Sequence, residues 1–135
     1  MPESLRQSIP IAIESVEKNT QDKVIDVCMI NKNRHCLLTT NKHLRYYLLF
    51  KRDFFRSFGK IFNKDGLGES INIEYLKFCK QNEIDAILIV YQIGHVYTVP
   101  VQEWWDYAQN NNTIRETISE EITMSIPLRL LRRWR

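Results

Sequence analysis

Glycine and proline are scarce, four of each in 135 residues, which excludes collagen-like, Pro-rich and low-complexity chains. Cysteine is scarce as well. Cys28, Cys36 and Cys79 cannot all pair, and no apolar signal segment opens the sequence, so a reducing, cytoplasmic compartment is expected rather than a disulfide-stapled secreted domain. Long apolar runs are missing. The longest, Ala86 to Tyr91, is far below the roughly 20 residues that span a bilayer, and no membrane partner is expected. Net charge is slight, +3, and by itself names no partner.

What is present is a chain with 44% hydrophobic residues, including three Trp, six Tyr and six Phe. That is enough apolar material for a folded core, and the length predicts one domain over residues 1–135. The charge is segregated. Residues 1–41 are neutral, 42–64 carry +6, 65–100 carry −3, 101–128 carry −4, and the last seven residues carry +4. Two basic blocks and two acidic ones underlie the small total, and this distribution matters more for partner choice than the sum does.

Periodicity predicts the elements. Ser4 to Lys18 reads as a helix with Pro10 in its first turn and Ser8 as cap, burying Ile9, Ile13 and Val16. Val24–Ile30, Arg34–Thr40 and Leu44–Phe50 read as three strands of an antiparallel meander, the first two joined by the turn Asn31-Lys32-Asn33. Asp53–Phe62 reads as a short helix or ordered loop, and Asn63–Gly68 is the strongest breaker in the chain. Ser70 is expected to cap a helix running to Gln81. Ile84–Tyr91 has the continuous apolarity of a strand buried on both faces, and His95–Val99 is a shorter strand after a turn. Val101, Trp104, Trp105 and Ala108 fall at i, i+3, i+4, i+7, the spacing of an amphipathic helix. From Ile122 to Leu130 the apolar period becomes two, and Pro127 points to an edge strand. The expected class is α/β (α+β), a mixed central sheet flanked by helices in the order α-β-β-β-α-β-β-α.

Leu44–Asp53 (LRYYLLFKRD) and Leu76–Trp104, taken with this order, resemble the archaeal Holliday-junction resolvases within the restriction-endonuclease-like superfamily. The resemblance spans roughly residues 8 to 108 and implies a homodimeric, Mg²⁺-dependent phosphodiesterase acting on DNA, branched DNA included. In that family the third strand ends in Glu-x-Lys. Lys51 matches the lysine, but Leu49 stands where the carboxylate belongs. The second-strand aspartate falls near Leu38–Asn41, where only Thr39, Thr40 and Asn41 occur, and the first-helix glutamate has candidates in Glu14 and Glu17. Such nucleases bind Mg²⁺ through two or three converging carboxylates, which a lysine alone does not replace. Two readings follow. The site is lost and a nucleic-acid-binding or structural protein remains, or the carboxylates have migrated to Asp26, Asp53 or Glu69, with Lys51 and Glu14 completing the catalytic set.

The basic, aromatic-rich stretch is the other functional signal. Arg45, Lys51, Arg52, Arg56, Lys60 and Lys64 are candidate phosphate contacts, with Tyr46, Phe54, Phe55 and Phe58 able to stack on bases or to fill a core. The tail Arg129–Arg135 has two readings, phosphate contact or cover for a sheet edge or interface through its Leu and Trp side chains. Gly66–Ser70 lacks the ending of a phosphate-cradling loop and reads as a turn followed by a cap. Cys28, His35, Cys36 and His43 fit no common zinc spacing. The alternative to a nucleic-acid protein is a non-catalytic interaction module using the Trp-bearing helix and the tail.

Overall fold

Five successive apolar side chains, Ile87 to Tyr91, are completely buried, and they fix the centre of the molecule. A strand can bury both faces only when layers cover both sides of its sheet. In the computed structural model, which describes residues 3–30, 35–51, 68–111, 114–116 and 122–135, that strand is β5 (Ala86–Tyr91). It lies inside a six-stranded sheet with β1 (Val24–Ile30), β2 (His35–Thr40), β3 (Arg45–Lys51), β6 (Val96–Pro100) and β9 (Arg132–Arg133), in the order β1-β2-β3-β5-β6-β9. The pairs β1/β2, β2/β3, β5/β6 and β6/β9 are antiparallel, while β3 and β5 run parallel from Tyr46↔Ala86 to Lys51↔Tyr91. The fold is therefore α+β with a mixed sheet flanked by helices.

Strand alternation sorts the side chains into two cores. Leu38, Tyr46, Leu48, Leu88, Val90 and Val96 face helix α1 (Glu3–Thr20), which contributes Ala12 and Val16. Leu37, Tyr47, Ile87, Ile89, Tyr91, Tyr97 and Val99 face the other way, toward α2 (Ile73–Gln81), α3 (Val101–Asn111) and a second sheet ordered β4-β8-β7. That small sheet comprises β4 (Gly68–Asn72), β7 (Ile114–Glu116) and β8 (Ile122–Pro127), and it adds Ile71, Met124 and Ile126 to the core. Among the described residues, no helix is long and apolar enough to cross a membrane.

Several expectations need correction. Helix α1 starts at Glu3, so Pro10 lies well inside it and Ser8 is a buried helical residue rather than its cap. An interior proline forfeits one backbone hydrogen bond. Burial of Ala12 and Val16 beyond Pro10 keeps the helix continuous. Ser70 does not cap a helix; it lies in β4, and Asn72 is the cap, accepting the Glu74 N–H at 2.7 Å. Gly68–Ser70 is likewise strand rather than turn. Pro127 does not mark an edge strand, because β8 is the middle strand of its sheet. The missing N–H is tolerated because Pro127 is the last residue of β8, opposite Gly68. Strands β4, β7 and β9 were not expected from periodicity. Expectations for Asn31-Lys32-Asn33, Asp53–Phe62 and most of Asn63–Gly68 lie outside the described residues.

The tail closes a sheet edge. Arg132 and Arg133 pair with Thr98 and Tyr97, Leu131 is buried, and the Trp134 ring meets Tyr46 edge-on at 5.9 Å. Asn19 Nδ2 donates to the Trp134 carbonyl at 3.2 Å, tying α1 to the chain end. At the β5–β6 turn, Gly94 takes φ +99°, a conformation that side chains resist, and its N–H donates to the Tyr91 carbonyl.

Candidate functional site

Parallel strands direct their carboxyl ends to one side of a sheet, where α/β proteins place their ligands. Here β3 and β5 end together at the register pair Lys51↔Tyr91. Counting by twos from Tyr47 and Ile87 puts Lys51 and Tyr91 on the face covered by α2, α3 and the small sheet. From that small sheet, Glu69 of β4 reaches the pair. Lys51 Nζ lies 3.4 Å from Glu69 Oε1, with side chains 26% and 6% exposed. The Tyr91 hydroxyl donates to Glu69 Oε2 at 3.2 Å, and the Ser70 N–H donates to Oε1 at 3.0 Å. Burial, followed by the Glu69 charge and this hydrogen bond, raises the Tyr91 hydroxyl well above the usual tyrosine range, so it remains a donor.

A carboxylate buried with three donors is a satisfied group. Lys51 remains partly open to solvent, so the arrangement amounts to one cation held at the sheet's end by a buried counter-charge. Among the described residues, the donor set at Lys51 is not that of a Mg²⁺ cage. Leu49 packs toward the core where the family carries a carboxylate, and Glu69 is already committed to its three donors. Among the described residues, no group of three or more His, Cys, Asp or Glu is placed to hold a metal ion.

The remaining predicted site residues scatter. Glu14 belongs to α1, on the opposite face of the sheet from Glu69, and pairs with Arg135 at 3.6 Å, so it is not brought to Lys51. Arg45 begins the strand that Lys51 ends, about 20 Å away at ~3.3 Å per residue. Its Nη2 donates to the Asn82 carbonyl and its N–H to Asp85 Oδ2 at 2.8 Å, which ties β3 to the α2–β5 connection. Asp26 is exposed on β1, at the sheet's other edge. Asp53, Arg52, Arg56, Lys60 and Lys64 lie outside the described residues.

Sequence reading missed a buried aromatic box around His35. Its Nδ1 lies 2.9 Å from the Tyr47 hydroxyl, Phe78 stacks on it at 4.5 Å, and Tyr75 meets it edge-on at 5.0 Å. Tyr75 and Phe78 are i, i+3 on α2, the one signal that pointed to a shared face. Cys36, the next residue, turns to the α1 face, so strand alternation separates it from His35.

The thiols give a direct check on this core. Burial, with a smaller contribution from Cys28, pushes Cys36 up to about 11, and burial pushes Cys79 up to about 12. In native protein at pH 8, a thiol reagent is expected to modify Cys28, which is half-buried, while Cys36 and Cys79 react only after unfolding. Because both folded values lie above the unfolded one near 9.0, their contribution to stability is intact below pH 9 and is lost as pH rises from there toward 11–12. Three equivalents reacting rapidly without denaturant would contradict the packing.

Compared with known proteins, the chain matches no family model, no curated protein and no solved structure.

Proposed function

We propose that this protein binds DNA through its phosphate backbone, with a resolvase-like sheet serving as a platform for binding rather than cleavage. The observation that carries the reading is Lys51. It stands at the carboxyl ends of the only parallel strand pair among the described residues, partly open to solvent and steadied by buried Glu69. Cations at such a place suit phosphate. In sequence, Lys51 is followed by Arg52, Arg56, Lys60 and Lys64, a basic run of the kind that marks nucleic-acid binding. Binding is favoured over Mg²⁺-dependent cleavage because the described carboxylates do not form a cation cage. Branched DNA, a homodimer with two matching surfaces and a cytoplasmic location belong to the same proposal.

The interaction-module alternative is less well supported. Trp104 and Leu131 are buried within the fold, Trp134 packs on Tyr46, and Trp105 lies beneath Lys80 at 5.8 Å. Few of the apolar groups that would make that interface remain for a partner.

The test is binding of branched and linear duplexes at two salt concentrations. With about six phosphate contacts, affinity should fall roughly a thousandfold between about 50 and 200 mM salt. No binding at low salt to either duplex would overturn the reading.

A further inference from the structure

The sheet edge formed by the tail carries a second cationic position on the same face as Lys51. Arg133 is paired with Tyr97, and Tyr97 shares its core face with Tyr91 and Ile89. The Tyr91 and Tyr97 rings meet edge-on at 5.9 Å, which confirms that common side. Strand alternation then puts Arg133 on the face of Lys51 and Tyr91, and Arg132, opposite Thr98, on the reverse face.

Arg133 is exposed, yet its guanidinium is held. Nη2 lies 3.0 Å from His95 Nδ1, and Nε donates to the Arg135 carbonyl at 3.3 Å. His95 directly precedes β6, and its own carbonyl accepts the Tyr91 N–H at 2.9 Å, so it is anchored to the strand that ends beside Lys51. The two bonds use two of the five N–H donors of an arginine and fix the plane of its fork. Long surface side chains ordinarily lose rotamer entropy when they seize a ligand, and a guanidinium already oriented loses less. Nothing in the core requires this arrangement: Leu131 and Trp134 bury the tail, while the Arg133 side chain is exposed.

Between Lys51 on β3 and Arg133 on β9 lie β5 and β6. At ~4.8 Å per strand, and with Arg133 level with Ile89 and Leu49, two residues or ~6.6 Å short of Lys51 along the strands, the two positions are about 16 Å apart, the axial run of about five nucleotides at ~3.4 Å each. We infer that Arg133, oriented by His95, is a second phosphate-contacting residue, and that a DNA backbone crosses the end of the sheet from Lys51 to Arg133. This inference rests on the DNA-binding reading above and extends it to a surface on the tail.

Anisotropy of a fluorescein-labelled duplex tests it, with wild type, Arg133→Ala, Arg133→Glu and Lys51→Ala titrated over a salt series. Arg133→Ala is expected to weaken binding about tenfold at low salt, as loss of a charge-assisted contact does, and to take about one unit off the slope of log K against log salt. Arg133→Glu should weaken it further. Backbone pairing with Tyr97 does not involve the Arg133 side chain, and unchanged far-UV dichroism and melting would verify that both variants remain folded. Wild-type affinity and slope in both Arg133 variants, with Lys51→Ala impaired, would overturn the inference and leave the DNA-binding reading standing. Absence of wild-type binding would overturn both.

Discussion

Trp104→Ala is expected to lower the free energy of unfolding by about 3–5 kcal/mol, the range for emptying a large aromatic site in a core. Helix α3 turns Val101, Trp104 and Ala108 inward, and Trp104 sits completely buried in the cluster that joins α2, α3, β5, β6 and the small sheet. Truncating it removes contacts from both sheets, and the surrounding strands are too constrained by their ladders to collapse into the space. Among the described residues the indole Nε1 has no hydrogen-bond partner. Trp104→Phe, which drops that unpaired donor and keeps much of the volume, should therefore cost far less, under about 1.5 kcal/mol. Urea unfolding followed by far-UV dichroism measures both. An Ala variant within about 1 kcal/mol of wild type would show that Trp104 does not hold the layers together.

The same helix illustrates what a sequence reveals. Strand β5 and helix α3 each display their burial in their own periodicity, continuous in one and at i, i+3, i+4, i+7 in the other, and both emerged as expected. Strand β4 has no such pattern. Its five residues, Gly-Glu-Ser-Ile-Asn, hold one apolar side chain and two credible cap residues, Ser70 and Asn72. Only pairing with β8 makes the first of these extended and leaves the second to cap α2. Pro10 and Pro127 misled for a related reason. Local rules place prolines in first turns and on edges, whereas burial beyond Pro10 and the terminal position of Pro127 decide their real settings.

The site was legible in fragments. Lys51 stood out through a family-like strand ending, and Glu69 entered as one of three carboxylates able to migrate toward it. Proximity of Lys51 and Glu69 depends on the small sheet, where β4 pairs with β8 over more than fifty residues of chain, and no local pattern encodes that. Tyr91 was hidden because it ends an apolar run and reads as core. Its role follows only from the parallel register that puts it beside Lys51. The sequence set Arg45 beside Lys51 in one basic stretch, and the strand puts them at its two ends.

Replacing Lys51 and Glu69 together should damage the fold less than the sum of the two single replacements. Lys51→Met leaves the Glu69 carboxylate buried with only the Tyr91 hydroxyl and the Ser70 N–H, and should cost about 2–3 kcal/mol, less than a fully enclosed pair because Lys51 is a quarter exposed. Glu69→Leu strands the buried Tyr91 hydroxyl and should cost about 1–3 kcal/mol, while the Lys51 ammonium can still turn to water. The double replacement removes both charges and should fall within about 1 kcal/mol of the milder single variant, which makes the coupling energy of the cycle at least about 1 kcal/mol. Urea unfolding of the four proteins yields that number, and a coupling below about 0.5 kcal/mol would mean that the ion pair is not formed in solution. The cycle also separates structure from function. A folded double variant lacks the cation at the ends of β3 and β5, so its DNA affinity should drop as in Lys51→Ala. Glu69→Leu, with the cation retained and its counter-charge gone, should bind DNA at least as tightly as wild type. A double variant that is stable and still binds DNA as wild type does would remove Lys51 from the interface.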